Sequence, residues 1–315
     1  MNHETANILN QINACFYEEN AASFSQTRNA PWEGWRRCVD ACKLEPDTKA
    51  SVLDVACGNL RFATFLAEEY PAIDWHFFAV DNCEPLAHAN PVIANSVNFT
   101  CEDIVTNILK NLPPFEPANT SELAQNAPFD IVASFGFMHH IPSFDLRIKF
   151  LKHALNYVRP NGHLIVSFWQ FMNDESKREK IEQTHTEALK FYSLEVTEND
   201  LERKAEGLHD TAEPRPVVMP DALDPGDYFL GWKNLSGQYR YCHHFTDEEI
   251  DRLIGQLSGY ATPVDSFTAD GKTGDQNRYV VLRRSGWPSG YFESIEPLDI
   301  SCPADLPPDP VSALD

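Results

Sequence analysis

Apolar segments that alternate with helical patterns constrain this chain more than any other feature. The segments are "SVLDVAC" (51–57), "DWHFFAVD" (74–81), "VNFTCED" (97–103), "FDIVASFGF" (129–137) and "GHLIVSFW" (162–169). Residues 60–69, 84–94 and 144–158 carry apolar positions at helical spacing between them. Strands that alternate with helices predict a mostly parallel sheet with right-handed crossovers and helices on both faces. The fold class expected is therefore α/β. Residues 110–128 are broken by prolines and read as an extended loop.

After residue 170 the alternation stops. A charged helical stretch runs from 174 to about 206, and 207–227 reads as a loop with Pro214, Pro216, Pro220 and Pro225. Sheet character returns in "QYRYCHHF" (238–245). A helix follows in "TDEEIDRLIGQL", where Thr246 and Glu249 make a capping box, and "RYVVLRR" (278–284) is a last strand. The organisation expected is a helical lid over 1–49 and a main domain over 50–285. That domain carries an insertion at about 171–227, and an acidic, Pro-rich tail occupies 286–315. The tail holds six acids, six prolines and no lysine or arginine. It is expected to be extended and to bury little.

The formal charge of −22 makes the chain a poor non-specific binder of phosphate backbones. None of its eight cysteines forms a CxxC pair, and no cysteine or histidine set has zinc-finger spacing, so no metal is expected. Free thiols and the lack of a legible leader suggest a cytoplasmic protein. No apolar run approaches the roughly 18 residues needed to span a bilayer, so no membrane partner is expected.

In a doubly wound sheet the ligand lies beyond the carboxyl ends of the strands. Asp54, Ala56 and Gly58 follow the first strand, Asp81 and Asn82 the second, Asp103 and Ile104 the third, and Ser134 ends the fourth. A carboxylate after the second strand suits two ribose hydroxyls. Gly58 lets backbone approach a ligand closely, and Asp103 can accept from an adenine amine. Acids also end strands as plain caps, but three at successive strand ends favour a site. A dinucleotide GxGxxG would fall on Ala56, Gly58 and Arg61, which leaves one glycine and argues against a pyrophosphate.

"VLDVACGN" resembles the first motif of class I S-adenosylmethionine-dependent methyltransferases. "FAVD", "CEDI", "FDIVASFGFMHHI" and "VRPNGHLIVSFW" are similar to their later motifs. The resemblance implies a Rossmann-like fold with a seven-stranded sheet and S-adenosylmethionine as cofactor, with Asp54 and Gly58 at its methionine end. The flanking segments "FSQTRNAPW", "GDYFLGW", "YRYCHHF" and "DGKTGDQNRYVVLRR" resemble the family that methylates the carboxymethyl group on tRNA wobble uridine. Leu60 stands where that family has a second glycine, and Cys242 where it has a tyrosine.

That resemblance implies a carboxylate acceptor on tRNA and a possible small zinc-binding activator protein as partner. A carboxylate is already ionised at neutral pH and needs no general base. It needs alignment and a cation. Arg240 and Arg278 are the candidates for this, on strands expected to lie together, with Arg28 more suited to the cofactor's own carboxylate. Trp32 and Trp232 are candidates to stack on a base, and His243 to face the acceptor. His139, after the fourth strand, is a candidate proton acceptor for a hydroxyl substrate, or else only shapes the pocket. A small-molecule O- or C-methyltransferase and a non-catalytic cofactor-binding scaffold are the alternatives.

Overall fold

The computed structural model describes residues 1–28, 30–115, 122–193, 216–233, 235 and 237–285. The tail and the middle of the insertion lie outside the described residues. The chain opens with α1 (His3–Ser25) and α2 (Glu33–Ala41). The first half of the sheet follows as β1 (Lys49–Val55), α3 (Arg61–Glu69), β2 (Asp74–Asp81), α4 (Glu84–Ala87), α5 (Pro91–Ala94) and β3 (Val97–Cys101). Then come α6 (Ile104–Leu109), α7 (Glu122–Asn126), β4 (Phe129–Ser134), α8 (Phe144–Asn156) and β5 (Val158–Trp169). The C-terminal part holds α9 (Glu175–Tyr192), β6 (Asp227–Gly231), β7 (Tyr239–His243), an α10 (Asp247–Gly255), β8 (Ala261–Ala269) and β9 (Asn277–Arg284).

The main sheet has seven strands in the order β3-β2-β1-β4-β5-β9-β8, the first five parallel and β9 antiparallel to both neighbours. Its central strands β1, β4, β5 and β9, and the second half of β2, are buried on both faces. Leu53, Val55, Phe78 and Val80 enter one core, and Val52, Phe77, Ile131 and Ala133 the other. This is the period-two alternation of a sheet covered on each side. Strand order reverses between β1 and β4, so the crevice for a ligand opens at their carboxyl ends.

Two expectations about the sheet need correction. "YRYCHHF" is not in it: β7 pairs antiparallel with β6, with Arg240 opposite Leu230, in a separate two-stranded sheet. Arg240 and Arg278 therefore do not share a sheet. The seventh strand is β8, whose solvent-facing, mixed sequence carries no strong strand signal. At that edge the pairing register shifts between Pro263 and Asp265, and Asp265 is gripped by Arg37 through two 2.8 Å bonds. The continuous helix expected over 84–94 is two short turns split ahead of Pro91, because proline disfavours helix in the residue before it.

The β6–β7 hairpin forms a cap together with α1 and α9. Leu9 and Ile12 of α1, Ala188 and Tyr192 of α9, and Phe229 and Tyr241 of the hairpin make a core of their own. Beneath it lies a buried polar cluster. His243 meets Asp227 Oδ1 and Glu249 Oε2, each at 2.7 Å, while Arg147 reaches Glu249 at 3.0 Å and the Tyr241 hydroxyl at 3.1 Å. Removing one member of such a cluster costs about 3–5 kcal/mol. Among the described residues no helix is long and apolar enough to cross a membrane.

Candidate active site

A cavity of ≈ 480 Å³ lies at the switch point. Its floor comes from the ends of β1, β2, β4 and β5, and its roof from α1 and the linker to α2. Asp54, Ala56, Gly58, Asp81, Asn82, Asp103, Ile104, Arg28, Trp32, His139 and Arg240 all line it. Ser134 does not, although Phe135 and Gly136, which follow it, do; its hydroxyl is buried without a partner.

The floor is built by the β1–α3 turn. Ala56, Gly58 and Leu60 all take positive φ (57°, 54° and 59°). A Cβ on Gly58 would meet nothing within 4 Å, so the backbone there is bare toward open space. Leu60 bears the strain that a glycine would avoid. It is kept there by burial against Cys57 and Ala79. Asp81 accepts from the Gly58 N–H (2.9 Å) and the Cys83 N–H (2.8 Å), which ties the turn to β2. Burial raises its pKa, against the pull of those backbone N–H groups. Asp54 has no hydrogen-bond partner among the described residues. Burial, and then the neighbouring Asp81, push its pKa up to about 7, with Arg61 opposing. Asp103 caps α6 through Thr106 and also takes both bonds from Asn10 of α1 (3.1 and 2.9 Å), so its carboxylate is largely spent on latching the roof.

The roof was only partly legible. Asn13 pairs with the backbone of Tyr241, accepting from its N–H at 2.8 Å and donating to its carbonyl at 3.2 Å. Tyr17 meets His140 Nε2 at 2.8 Å, and the Nδ1 of that ring meets the Tyr241 carbonyl at 2.9 Å. Burial pushes His140 down to about 3 and Tyr17 up to about 12. Arg61 and Asn59, directly after Gly58, hold the linker. Arg61 donates to the Ala30 carbonyl (2.7 Å) and Asn59 to the Arg28 carbonyl (3.0 Å). The polar face of α1 at positions 10, 13, 17 and 20 was the available signal for this latch.

Arg240 is 6% exposed, and its Nε and Nη1 have no hydrogen-bond partner. Its guanidinium lies 5.1 Å from the Phe16 ring centroid and 5.6 Å from that of Trp232. Trp232 thus supports Arg240 and donates to Ser23, and it does not line the cavity. His243 points into the polar cluster with Asp227 and Glu249, away from the cavity. Arg278 is outside as well: it pairs with the exposed carboxylates of Asp247 (3.1 Å) and Asp251 (2.7 Å). Strand alternation explains this, because Asn277 and Arg278 face opposite sides of β9 and Asn277 is the one lining the cavity.

His139, His140 and Cys242 have donor atoms within 4.8 Å of one another. Both nitrogens of His140 are already engaged, and the Arg240 charge acts on the Cys242 thiol, opposing the rise that burial gives its pKa. A cation there would meet a guanidinium, so the cluster is poorly suited to a metal.

A family model described as a methyltransferase domain matches residues 9–206, well over half of the chain. The chain belongs to the methyltransferase-domain family. It is 26% identical over 169 residues to the human "Probable tRNA methyltransferase 9B", covering 54% of this chain and 31% of that protein. It is 25% identical over 162 residues to the tRNA (carboxymethyluridine(34)-5-O)-methyltransferase of Saccharomyces cerevisiae, covering 51% of this chain and 49% of that protein. The matches thus span between about a third and a half of these relatives' length. Among solved structures, a Burkholderia thailandensis 1,6-didemethyltoxoflavin-N1-methyltransferase aligns with a TM-score of 0.49, 17% identity and 90% of each chain. As a methyltransferase-domain protein the chain is an enzyme, and its cofactor is S-adenosylmethionine. The cavity floor fits that molecule. Asp54 offers a carboxyl with no side-chain partner among the described residues, Asp81 a carboxylate and Gly58 a bare backbone, the kinds of group that an ammonium, ribose hydroxyls and a close-lying ligand would need.

Proposed function

We propose that this methyltransferase forms a methyl ester on a carboxylate, and that the carboxylate belongs to a carboxymethyl-type group on tRNA wobble uridine. The observation that carries the reading is Arg240: a buried guanidinium that lines the cavity and has no carboxylate bound to it among the described residues. A buried cation of this kind calls for an anion. S-adenosylmethionine supplies an electrophilic methyl on its sulfonium. Arg240 holds and orients the acceptor carboxylate, the neighbouring rings of Phe16 and Trp232 support the guanidinium, and no proton has to move. Arg28 lines the same cavity and suits the cofactor's own carboxylate, so two arginines answer two carboxylates. The names of the relatives support the choice of tRNA.

A small carboxylic acid is the second reading. The charge of −22 and the roof latched by Asn10, Asn13 and Tyr17 favour it. The deciding assay offers labelled cofactor with tRNA bearing 5-carboxymethyluridine, with and without a candidate activator protein. Base-labile label in the RNA is the expected result. No transfer to RNA, together with transfer to a small acid, would replace the first reading by the second.

A further inference from the structure

A second buried group at the acceptor end lacks a partner. His139 is 6% exposed, and its Nδ1 has no hydrogen bond. The ring packs 4.1 Å from His140 and 4.8 Å from Trp169, centroid to centroid. His140 in turn is tied to the carbonyl of Tyr241, the residue after Arg240, which brings His139 beside the strand that carries the arginine. His140 uses both of its nitrogens within the protein and His139 uses neither among the described residues, although the two are neighbours in sequence. A buried polar atom without a partner costs about 1–3 kcal/mol. The Nδ1 is sealed inside the wall, so the nitrogen that the ring, which lines the cavity, leaves for a ligand is Nε2.

We propose that His139 reads the acceptor, donating from its ring to a neutral oxygen that the acceptor carries beside the carboxylate held by Arg240. The inference rests on the carboxylate reading above and narrows it to acids with a carbonyl-type oxygen a short arm away from the carboxylate. Carboxymethyl uracils have that arrangement, and simple arylacetic acids do not. Burial, and then His140, Arg240 and Arg28, hold the imidazole far below its usual pKa, so the ring is neutral. A neutral donor suits a neutral oxygen and has no need of a second carboxylate. The same neutrality, with an acceptor that has no proton to lose, leaves general-base work without a purpose. His139 is a specificity residue, and sites that hydrogen-bond a substrate group discriminate strongly against analogues lacking it.

The test is binding by calorimetry to the S-adenosylhomocysteine-loaded protein, with 5-carboxymethyluracil and phenylacetate as probes. The wild type should bind 5-carboxymethyluracil about tenfold or more tightly than phenylacetate. In His139→Leu the ratio should collapse toward one, in His139→Asn, whose amide can donate, part of it should return, and Arg240→Leu should weaken both probes. An unchanged ratio in a folded His139→Leu would overturn the role of His139 and leave the carboxylate reading standing. Failure of the wild type to bind either probe would remove the carboxylate reading and this inference together.

Discussion

Asp54 apart, the two halves of the cavity differ in how far their charged groups are paired. On the cofactor side, Asp81 and Asp103 are bonded to backbone N–H groups and to Asn10 before any ligand arrives. On the acceptor side, Arg240 and His139 are buried with side-chain nitrogens unpaired. The first half is a preformed cradle carried by the main sheet. The second is a set of unanswered groups, with Arg240 borne by a two-stranded cap. With Arg240 and His139 acting as proposed, the acceptor end would depend on its ligand for completion and would select for it.

The largest effect should come from the unanswered side. Arg240→Lys should lower turnover on a carboxylate acceptor by about a hundredfold, because a lysine cannot reproduce two parallel bonds. Calorimetry should find S-adenosylhomocysteine affinity nearly unchanged, and a matching loss there would mean that the two halves are not separable. Asp81→Ala should do the reverse and weaken cofactor binding about ten- to a hundredfold. Equilibrium binding by the folded variant checks it.

A smaller effect distinguishes Asp54 from Asp81. Its pKa of about 7 means that the carboxyl gains a proton as pH falls through neutrality. A cofactor ammonium binds the ionised form, so affinity should fall about tenfold for each pH unit below about 7 and level off above it. Without ligand the sign is the opposite. The folded pKa lies above the unfolded one, so the free protein should lose stability as pH rises from about 4 to 7. Asp54→Asn should flatten both profiles, as followed by calorimetry and by thermal melts. The smallest effect belongs to Arg278→Ala. Its ion pairs with exposed carboxylates are worth about 1 kcal/mol or less, and turnover should change by less than about twofold.

The central parallel strands were legible because they are buried on both faces and so read as apolar runs. Asp54, Gly58 and Asp81 followed from position, since a strand end at a switch point can be found from the order of segments alone. The acceptor side was harder. Arg240 and Arg278 look alike in sequence, and only the pairing of β7 with β6 separates them. His243 and Trp232 look functional because polar and aromatic residues near a site do so. The first is spent on Asp227 and Glu249, the second on Ser23 and Arg240. Arg61 was read only as a missing glycine, although it grips the linker over the cavity. Bonds between residues far apart in the chain leave no local pattern.

The outer strand β8 has a bearing on how copies of this protein meet in a crowded solution. An open strand edge is a template for another chain, and long flat edges invite assembly. Here Pro263 contributes no N–H, the register slips beside it, and Arg37 with Asp265 sets a charged pair on the same strand. The sheet therefore ends at β8 in a form that is hard to extend, which protects the antiparallel flank from edge-to-edge aggregation.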